Sequence, residues 1–298
     1  MLKLNSHKLG AKVLGLFATV LFVSSCKTSP ATNQVNALDL LDGRSSFYMK
    51  LPSSVDQKLI SKIVQSSFDG ISENDAMMVA GRLDTVYVGM NKTKKSTEYQ
   101  IATACNIKKI AVNKIFTRKN GFQADKLTLD LPSSKSVSYT VYSGSSIRAS
   151  FPSEQIALLG RSVQDMVVTY HCIANQMNAV QDSPLDYNVY EWLSSGENEI
   201  RFFATRPQSF LTILTGANLN FKLLFVRGSM VTDTKHDNQY LMNLEFEFKN
   251  PAFVSMAKSA ITLAFGLTDS SIVQETPTNV KVNRIKISKD QLYKLFVL

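Results

Sequence analysis

Histidine, cysteine and tryptophan are scarce in this 298-residue chain, which has three histidines, three cysteines and one tryptophan. Only His171 and His236 lie beyond the first 25 residues, and structural zinc takes four ligands, so no metal site is expected. His171-Cys172 is the nearest approach to a metal or nucleophile pair, but helix neighbours diverge by about 100 degrees and seldom share a ligand. His236 sits in Asp233 to Asp237, where an exposed hairpin tip is the expected setting. No Gly-x-Ser-x-Gly elbow occurs, and no Ser-x-x-Lys stands with its partner motifs. Gly144-Ser145 and Gly228-Ser229 lie in or between strands without a following helix start, so phosphate cradles are absent and no cofactor is expected. No apolar run approaches the roughly 20 residues that a spanning helix needs.

The N-terminus, in contrast, is rich in signal. Lys3, Lys8 and Lys12 precede an apolar core from Val13 to Val23, broken only by Gly15 and Thr19 and closed by Ser24-Ser25-Cys26. A charged start, a short greasy core and small residues before a cut read as an export signal. With cysteine at the cut, the segment resembles the lipobox of bacterial lipoproteins. That resemblance implies a signal peptide over 1–25 and a mature protein whose Cys26 carries fatty acyl chains, palmitate among them, on sulfur and amine. Membrane lipid is then its first partner, held through acylated Cys26. Each buried CH2 contributes about 0.8 kcal/mol, so two or three chains tether far more firmly than one. Lys27 stands where an Asp would resemble the inner-membrane retention signal of enterobacterial lipoproteins. The expected address is the cell envelope, with the outer membrane favoured and the periplasmic or surface side left open.

Charge and cysteine usage follow from that address. The net charge is +9, or +6 once the leader's three lysines are removed. Such a surplus suits anionic headgroups or acidic polymers, and it equally suits an ordinary solvated surface. No basic-aromatic module appears and the compartment is wrong for it, so nucleic acid is not an expected partner. Hydrophobic content of 44% with 19% charged residues describes a globular chain. Cys105 and Cys172 then remain. An exported pair could close one disulfide, which the loop-entropy relation values at roughly 4 kcal/mol. The other reading is two thiols acting as small buried hydrophobes, and both stand.

Polar residues 26–37 read as a flexible tether. A first α+β unit is expected over 38–172. It runs from a strand at Ser46–Leu51 through helices capped near Ser54 and Ser72 to strands at Thr85–Met90 and Tyr99–Cys105. A helix over Ile107–Arg118 and an alternating strand at Lys126–Leu131 complete it. An added hairpin, 139–151, turns on Ser143-Gly144-Ser145-Ser146, and Ser153 is read as the cap of a helix carrying Ile156, Leu159, Val163, Met166, Val167 and Tyr170. Residues 173–186 read as a linker. A second unit over 187–298 repeats the order: strand at Ile200–Ala204, helix from Pro207, strands Phe221–Met230 and Tyr240–Phe248, helix from Pro251, strand Val280–Ile287 and a terminal helix capped by Ser288. Strand-helix-strand-strand-helix-strand is the ferredoxin-like order, so the expected class is α+β with two tandem ferredoxin-like units, mainly antiparallel sheets and an inserted hairpin and helix.

Two surface features could carry contacts. Lys108, Lys109, Lys114, Arg118 and Lys119 are basic on a helix whose other face is apolar. It could lie on an anionic membrane; packing on its own sheet is the preferred reading. Tyr187, Tyr190 and Trp192 cluster after the linker, as a contact site or, by preference, a plug in the seam between units. Together with the lipobox, Leu41-Asp42, Ser46-Phe47-Tyr48-Met49 and Arg82 to Gly89 resemble uncharacterised lipoproteins of spirochaetes, treponemes in particular. That resemblance implies an address and no mechanism. The expected function is a non-catalytic, lipid-anchored envelope protein working through protein contacts, with another envelope protein or a host surface molecule as partner. The alternatives are a periplasmic hydrolase built on carboxylates such as Asp182, Asp186, Glu191, Glu197 and Glu199, or a small-ligand-binding lipoprotein with an apolar cavity.

Overall fold

Every residue of Phe47–Pro52 (β1) is buried, including Lys50, which marks a strand covered on both faces. A computed structural model describes residues 34–68, 71–92, 97–130, 136–145, 147–177, 183–208, 211–212, 221–265 and 272–296. The leader, Cys26 and most of the tether therefore lie outside the described residues.

Among the described residues twelve strands form one sheet, and all their pairings are antiparallel. After β1 come Leu83–Lys92 (β2), Thr97–Cys105 (β3), Gln123–Asp130 (β4), Ser136–Ser143 (β5), Arg148–Ser153 (β6) and Ile156–Gly160 (β7). The later strands are Ile200–Ala204 (β8), Leu223–Thr232 (β9), Gln239–Phe248 (β10), Ile272–Gln274 (β11) and Asn279–Ser288 (β12). Their order across the sheet is β11-β12-β10-β9-β8-β1-β2-β3-β7-β6-β5-β4.

The α+β class and the antiparallel pairing hold, but the two tandem ferredoxin-like units do not. A split βαβ unit sets strands parallel around an inserted one. Here β1 pairs directly with β2, Phe47 opposite Met90, and β1 also pairs with β8, Phe47 opposite Ala204. That second pairing fuses the halves expected at 38–172 and 187–298 into one unit spanning 35–298. The tether also ends earlier than 37. The Asn36 side chain caps a 3-10 turn, Ala37–Leu40, whose Ala37, Leu38 and Leu40 are buried.

Helices cover both faces. On one lie Gln57–Ser67 (α1), Glu73–Ala80 (α2), Lys109–Ile115 (α3), Val254–Phe265 (α6) and Lys289–Phe296 (α7), which pack with Met49, Val88, Ile101, Phe202 and Phe246. On the other lie Gln164–Ala174 (α4) and Tyr187–Ser194 (α5), with Leu38, Tyr48, Leu158 and Phe203. Caps are those that the sequence favours: Ser72 accepts from Asp75 N, and Ser288 exchanges bonds with Gln291. For α1 the cap is Asp56, not Ser54. The helix expected from Ser153 instead begins at Gln164, because Ile156–Gly160 is a buried strand between β3 and β6. The helix expected from Pro207 is described only at 207–208 and 211–212; its remainder lies outside the described residues. Gly228 is required by close approach, since a Cβ there would sit 2.5 Å from the Phe202 ring and 2.6 Å from Asn243 O.

Candidate functional site

The first helical layer does not fill the space above the sheet. Ile60, Ile63 and Val64 of α1, Val79 of α2, and Val112 and Ile115 of α3 face Val86, Ile101, Ala157 and Leu159 across a cavity of about 60 Å³. Thr103 is the single polar residue in the lining, and its hydroxyl donates to Ala104 O at 3.0 Å. One wall is aromatic: Phe116 meets Phe68, Phe122, Tyr142 and Phe151 at centroid distances of 5.5, 4.9, 5.1 and 5.2 Å. The void has room for a water, but a buried water needs about two to four polar partners. The one polar side chain in the lining already spends its hydroxyl on Ala104 O, so an apolar occupant suits the space better. At about 24 cal/mol per Å³ an unfilled space of this size costs roughly 1.4 kcal/mol, which an apolar occupant would recover.

The elements around the cavity have a distinct outer surface. Lys108, Lys109, Lys114, Arg118 and Lys119 are exposed, with Ile110 among them at 71% exposure; Met78 on α2 is 53% exposed. The apolar face of α3 packs inward through Val112 while its charges meet water. Cationic side chains around an exposed isoleucine also form the pattern of a surface that meets headgroups.

The polar network nearest this layer pins the start of α1. Asp56 is buried; its Oδ1 accepts from Leu59 N at 2.9 Å and its Oδ2 accepts from the Tyr240 hydroxyl. Lys289 Nζ stands 3.4 Å from the same Oδ2. Burial and the adjacent carboxylate hold the Tyr240 hydroxyl far above the ordinary tyrosine range, and burial and Asp56 push Tyr293 up to about 12.

A larger hollow of about 430 Å³ lies on the opposite face, lined by Asp42, Arg44, Gln100, Arg161 and Asp165 among others. Its polar groups engage each other: Gln100 Nε2 donates to Asp42 Oδ1 and Ser45 Oγ, Gln100 Oε1 accepts from Asp42 N, and Arg44 bridges Asp42 and Asp165. A ligand there would have to break bonds already made, which makes the apolar cavity the better candidate.

The residues singled out from sequence are dispersed. Cys105 and Cys172 are both free thiols, which corrects the disulfide reading. Cys105 belongs to the core under the first helical layer, whereas Cys172 lies on α4, whose Met166 and Val167 pack on the other face, so the sheet separates them. Burial pushes the Cys105 thiol up to about 11. The segment carrying Tyr187, Tyr190 and Trp192 is a helix, α5, capped by Asp186 and laid across β8 and β1 where the halves join. Trp192 Nε1 donates to Phe202 O at 3.0 Å, and the guanidinium groups of Arg201 and Arg227 stand 4.4 and 4.6 Å from its ring. Tyr190 packs into the second core, while Tyr187 is 74% exposed. Lys50, on the same face, donates to Ser195 O and Gly196 O, and burial lowers its pKa.

No carboxylate pair faces into the cavity. Asp182 lies outside the described residues, Asp186 is spent as a cap, Glu191 and Glu197 are exposed, and Glu199 pairs with Arg201 at 2.9 Å. His171 Nδ1 bonds to the Tyr139 hydroxyl at 2.7 Å, and His236 Nδ1 to Asp233 Oδ2 at 2.9 Å. Among the described residues no group of three or more His, Cys, Asp or Glu could hold a metal, and no helix is long and apolar enough to cross a membrane. None of the cavity's lining residues was singled out from sequence as a site, because each reads individually as core.

The comparisons agree with this picture of the fold. A family model described as outer membrane-associated lipoprotein TP0453 matches residues 32–293. Solved structures of crystal forms I, III and IV of TP0453 are similar, with TM-scores of 0.67, 0.65 and 0.62. Their identities are 17%, 17% and 16%; each match covers 89% of this chain and 98%, 99% and 98% of the other. No curated protein matches the chain.

Proposed function

The chain belongs to the TP0453 family of outer membrane-associated lipoproteins, and on that premise we propose a non-catalytic role: tethered through acylated Cys26, it shelters an apolar chain beneath α1, α2 and α3. The observation that carries this reading is an almost wholly apolar void between helices and sheet. At about 60 Å³ it is far smaller than the roughly 300 Å³ at which ligand pockets begin. A few methylene groups fill it as it stands, so a longer chain enters by parting helices from the sheet. The contacts opposing that separation around the void are chiefly side-chain packing, which is non-directional and re-forms against another apolar surface. The exposed Ile110 and Met78 on the same layer, with the lysines around α3, suit a layer that works against lipid headgroups.

The test uses the full-length protein in detergent and a fluorescent fatty acid as probe. Val86, 4% exposed and in the cavity lining, is replaced by Phe to fill the void. The wild type should take up the probe, and Val86→Phe should weaken uptake without lowering the melting temperature. An exposed change, Ile110→Ser, controls for adsorption to the outer surface. Uptake unchanged by the filling variant, or none by the wild type, would refute the cavity reading. The anchor is tested separately: labelled palmitate should enter the wild type and not Cys26→Ala.

A further inference from the structure

Among the described residues the sheet ends at β4, which has no strand partner on its outer side. It is eight residues long and pairs with β5 from Gln123 opposite Ser143 to Asp130 opposite Ser136, with no bulge, proline or glycine. The described strand at the other edge, β11, is three residues long. A regular edge of this length presents a row of free N–H and C=O groups, and proteins ordinarily blunt such edges by shortening, bulges, proline or charge. Charge is the one device present on β4, in Asp125, Lys126 and Asp130. None of the three has an ion-pair partner among the described residues.

We propose that β4 is a self-association edge, on which a second copy of this chain adds its own β4 antiparallel about Thr128, joining two sheets into one. The register follows from side-chain geometry. Residues opposite each other in a sheet point to the same face, so an antiparallel pair of identical strands brings together positions of the same parity. Centring on Lys126 would oppose like charges. Centring on Leu127 leaves Lys126 opposite Thr128, and centring on Leu129 leaves Asp130 opposite Thr128. Centring on Thr128 alone sets Lys126 of each copy opposite Asp130 of the other, twice. The same register sets Leu127 opposite Leu129. Both leucines are already partly buried at the rim of the second core, so the pairing continues that core across the junction. The charges that repel a foreign strand thus select an identical one. Tethering both copies to one membrane raises their effective concentration, so an edge of modest strength suffices.

The experiment is cysteine crosslinking of the full-length, lipidated protein in its membranes, read on non-reducing gels. Thr128→Cys should form a disulfide dimer rapidly under a mild copper-based oxidant, because the two copies meet at the axis. Lys126→Cys should not crosslink to itself, since its twin lies about 14 Å away along the strands. It should crosslink when co-expressed with Asp130→Cys. Equal yields from Thr128→Cys and Lys126→Cys, or no yield above the parent protein from Thr128→Cys, overturns the proposal. Charge reversal supplies a second readout: Lys126→Asp or Asp130→Lys alone should weaken dimerisation about tenfold. The double reversal should restore it, which a folding defect would not do. Dimerisation indifferent to both single reversals also overturns the proposal.

Discussion

Replacing Asp56 with alanine removes three functions at once, and the structure assigns a magnitude to each. Loss of the cap bond to Leu59 N costs about 1 kcal/mol. Tyr240, 0% exposed, is left with a buried hydroxyl whose partner is gone, which costs about 1–3 kcal/mol. Lys289 loses a neighbour 3.4 Å away, but its side chain is 23% exposed and water compensates most of that. The expected sum is about 3 kcal/mol, read as a lower urea midpoint by circular dichroism or as a melting temperature lower by about 8 °C. Asp56→Asn keeps the cap and a polar partner for Tyr240, so it should cost about 1 kcal/mol. Tyr240→Phe removes the hydroxyl itself and should also cost about 1 kcal/mol. In the double variant Asp56→Ala/Tyr240→Phe no hydroxyl is orphaned, so its cost should fall short of the sum of the singles by about 1 kcal/mol or more. Hydrogen exchange at the Leu59 amide should accelerate in Asp56→Ala and not in Asp56→Asn. Additive singles, or Asn as damaging as Ala, would refute the claim that this network pins α1.

Three further outcomes follow from buried groups. Burial pushes Tyr48 and Tyr87 up to about 12, above the ordinary value near 10. The folded state thus holds these protons longer than the unfolded chain, so their stabilisation is complete below pH ~10 and lost as pH rises toward 12. Urea midpoints should be flat up to that threshold and then fall, less steeply in Tyr48→Phe; full tyrosinate absorbance in the folded protein near pH 10 would contradict this. Trp192→Ala should cost about 3 kcal/mol by removing the indole bond to Phe202 O and the ring beside Arg201 and Arg227, with Trp192→Phe costing less. Equal denaturation midpoints for wild type and Trp192→Ala would show that α5 adds nothing to the β8–β1 junction. Finally, a thiol-reactive probe should label half-buried Cys172 before buried Cys105, and peptide mapping after oxidation should find no bond between them.

What could be read from sequence, and what could not, divides along a physical line. The run from Lys126 alternates and is a strand as far as Asp130, where the described residues stop; Ser72 and Ser288 are caps, and both cap helices. These signals are local, carried by a period of two or by one side chain meeting one backbone N–H. Ile156 to Gly160 failed because a continuous apolar run has no period: buried on both faces as β7, it reads equally well as a turn of buried helix, and Ser153 supplied a false start. The α5 segment was given no helix from sequence because its aromatics and asparagine favour helix weakly, and packing across β8 and β1 overrides that preference. The β1–β8 pairing joins residues some 150 positions apart. Its one advance notice was the apolar character of β1 on both sides, with Lys50 the exception and its ammonium bound to two carbonyls.

The cavity was illegible for a deeper reason. Catalytic and metal sites announce themselves because their chemistry needs particular side chains at particular spacings. A pocket for an apolar chain needs only that its lining be apolar and slightly too small to fill the space. Core positions accept many aliphatic and aromatic substitutes of similar volume, so no motif marks such a lining. Ile60, Val86, Val112 and Leu159 would look the same in sequence if the core above the sheet were solid. What distinguishes them is a difference of packing among three helices and four strands, a property of the assembled layers rather than of any segment. A site of this kind becomes visible only after the topology is known, and its function follows from the few tens of cubic ångströms that the side chains leave unclaimed.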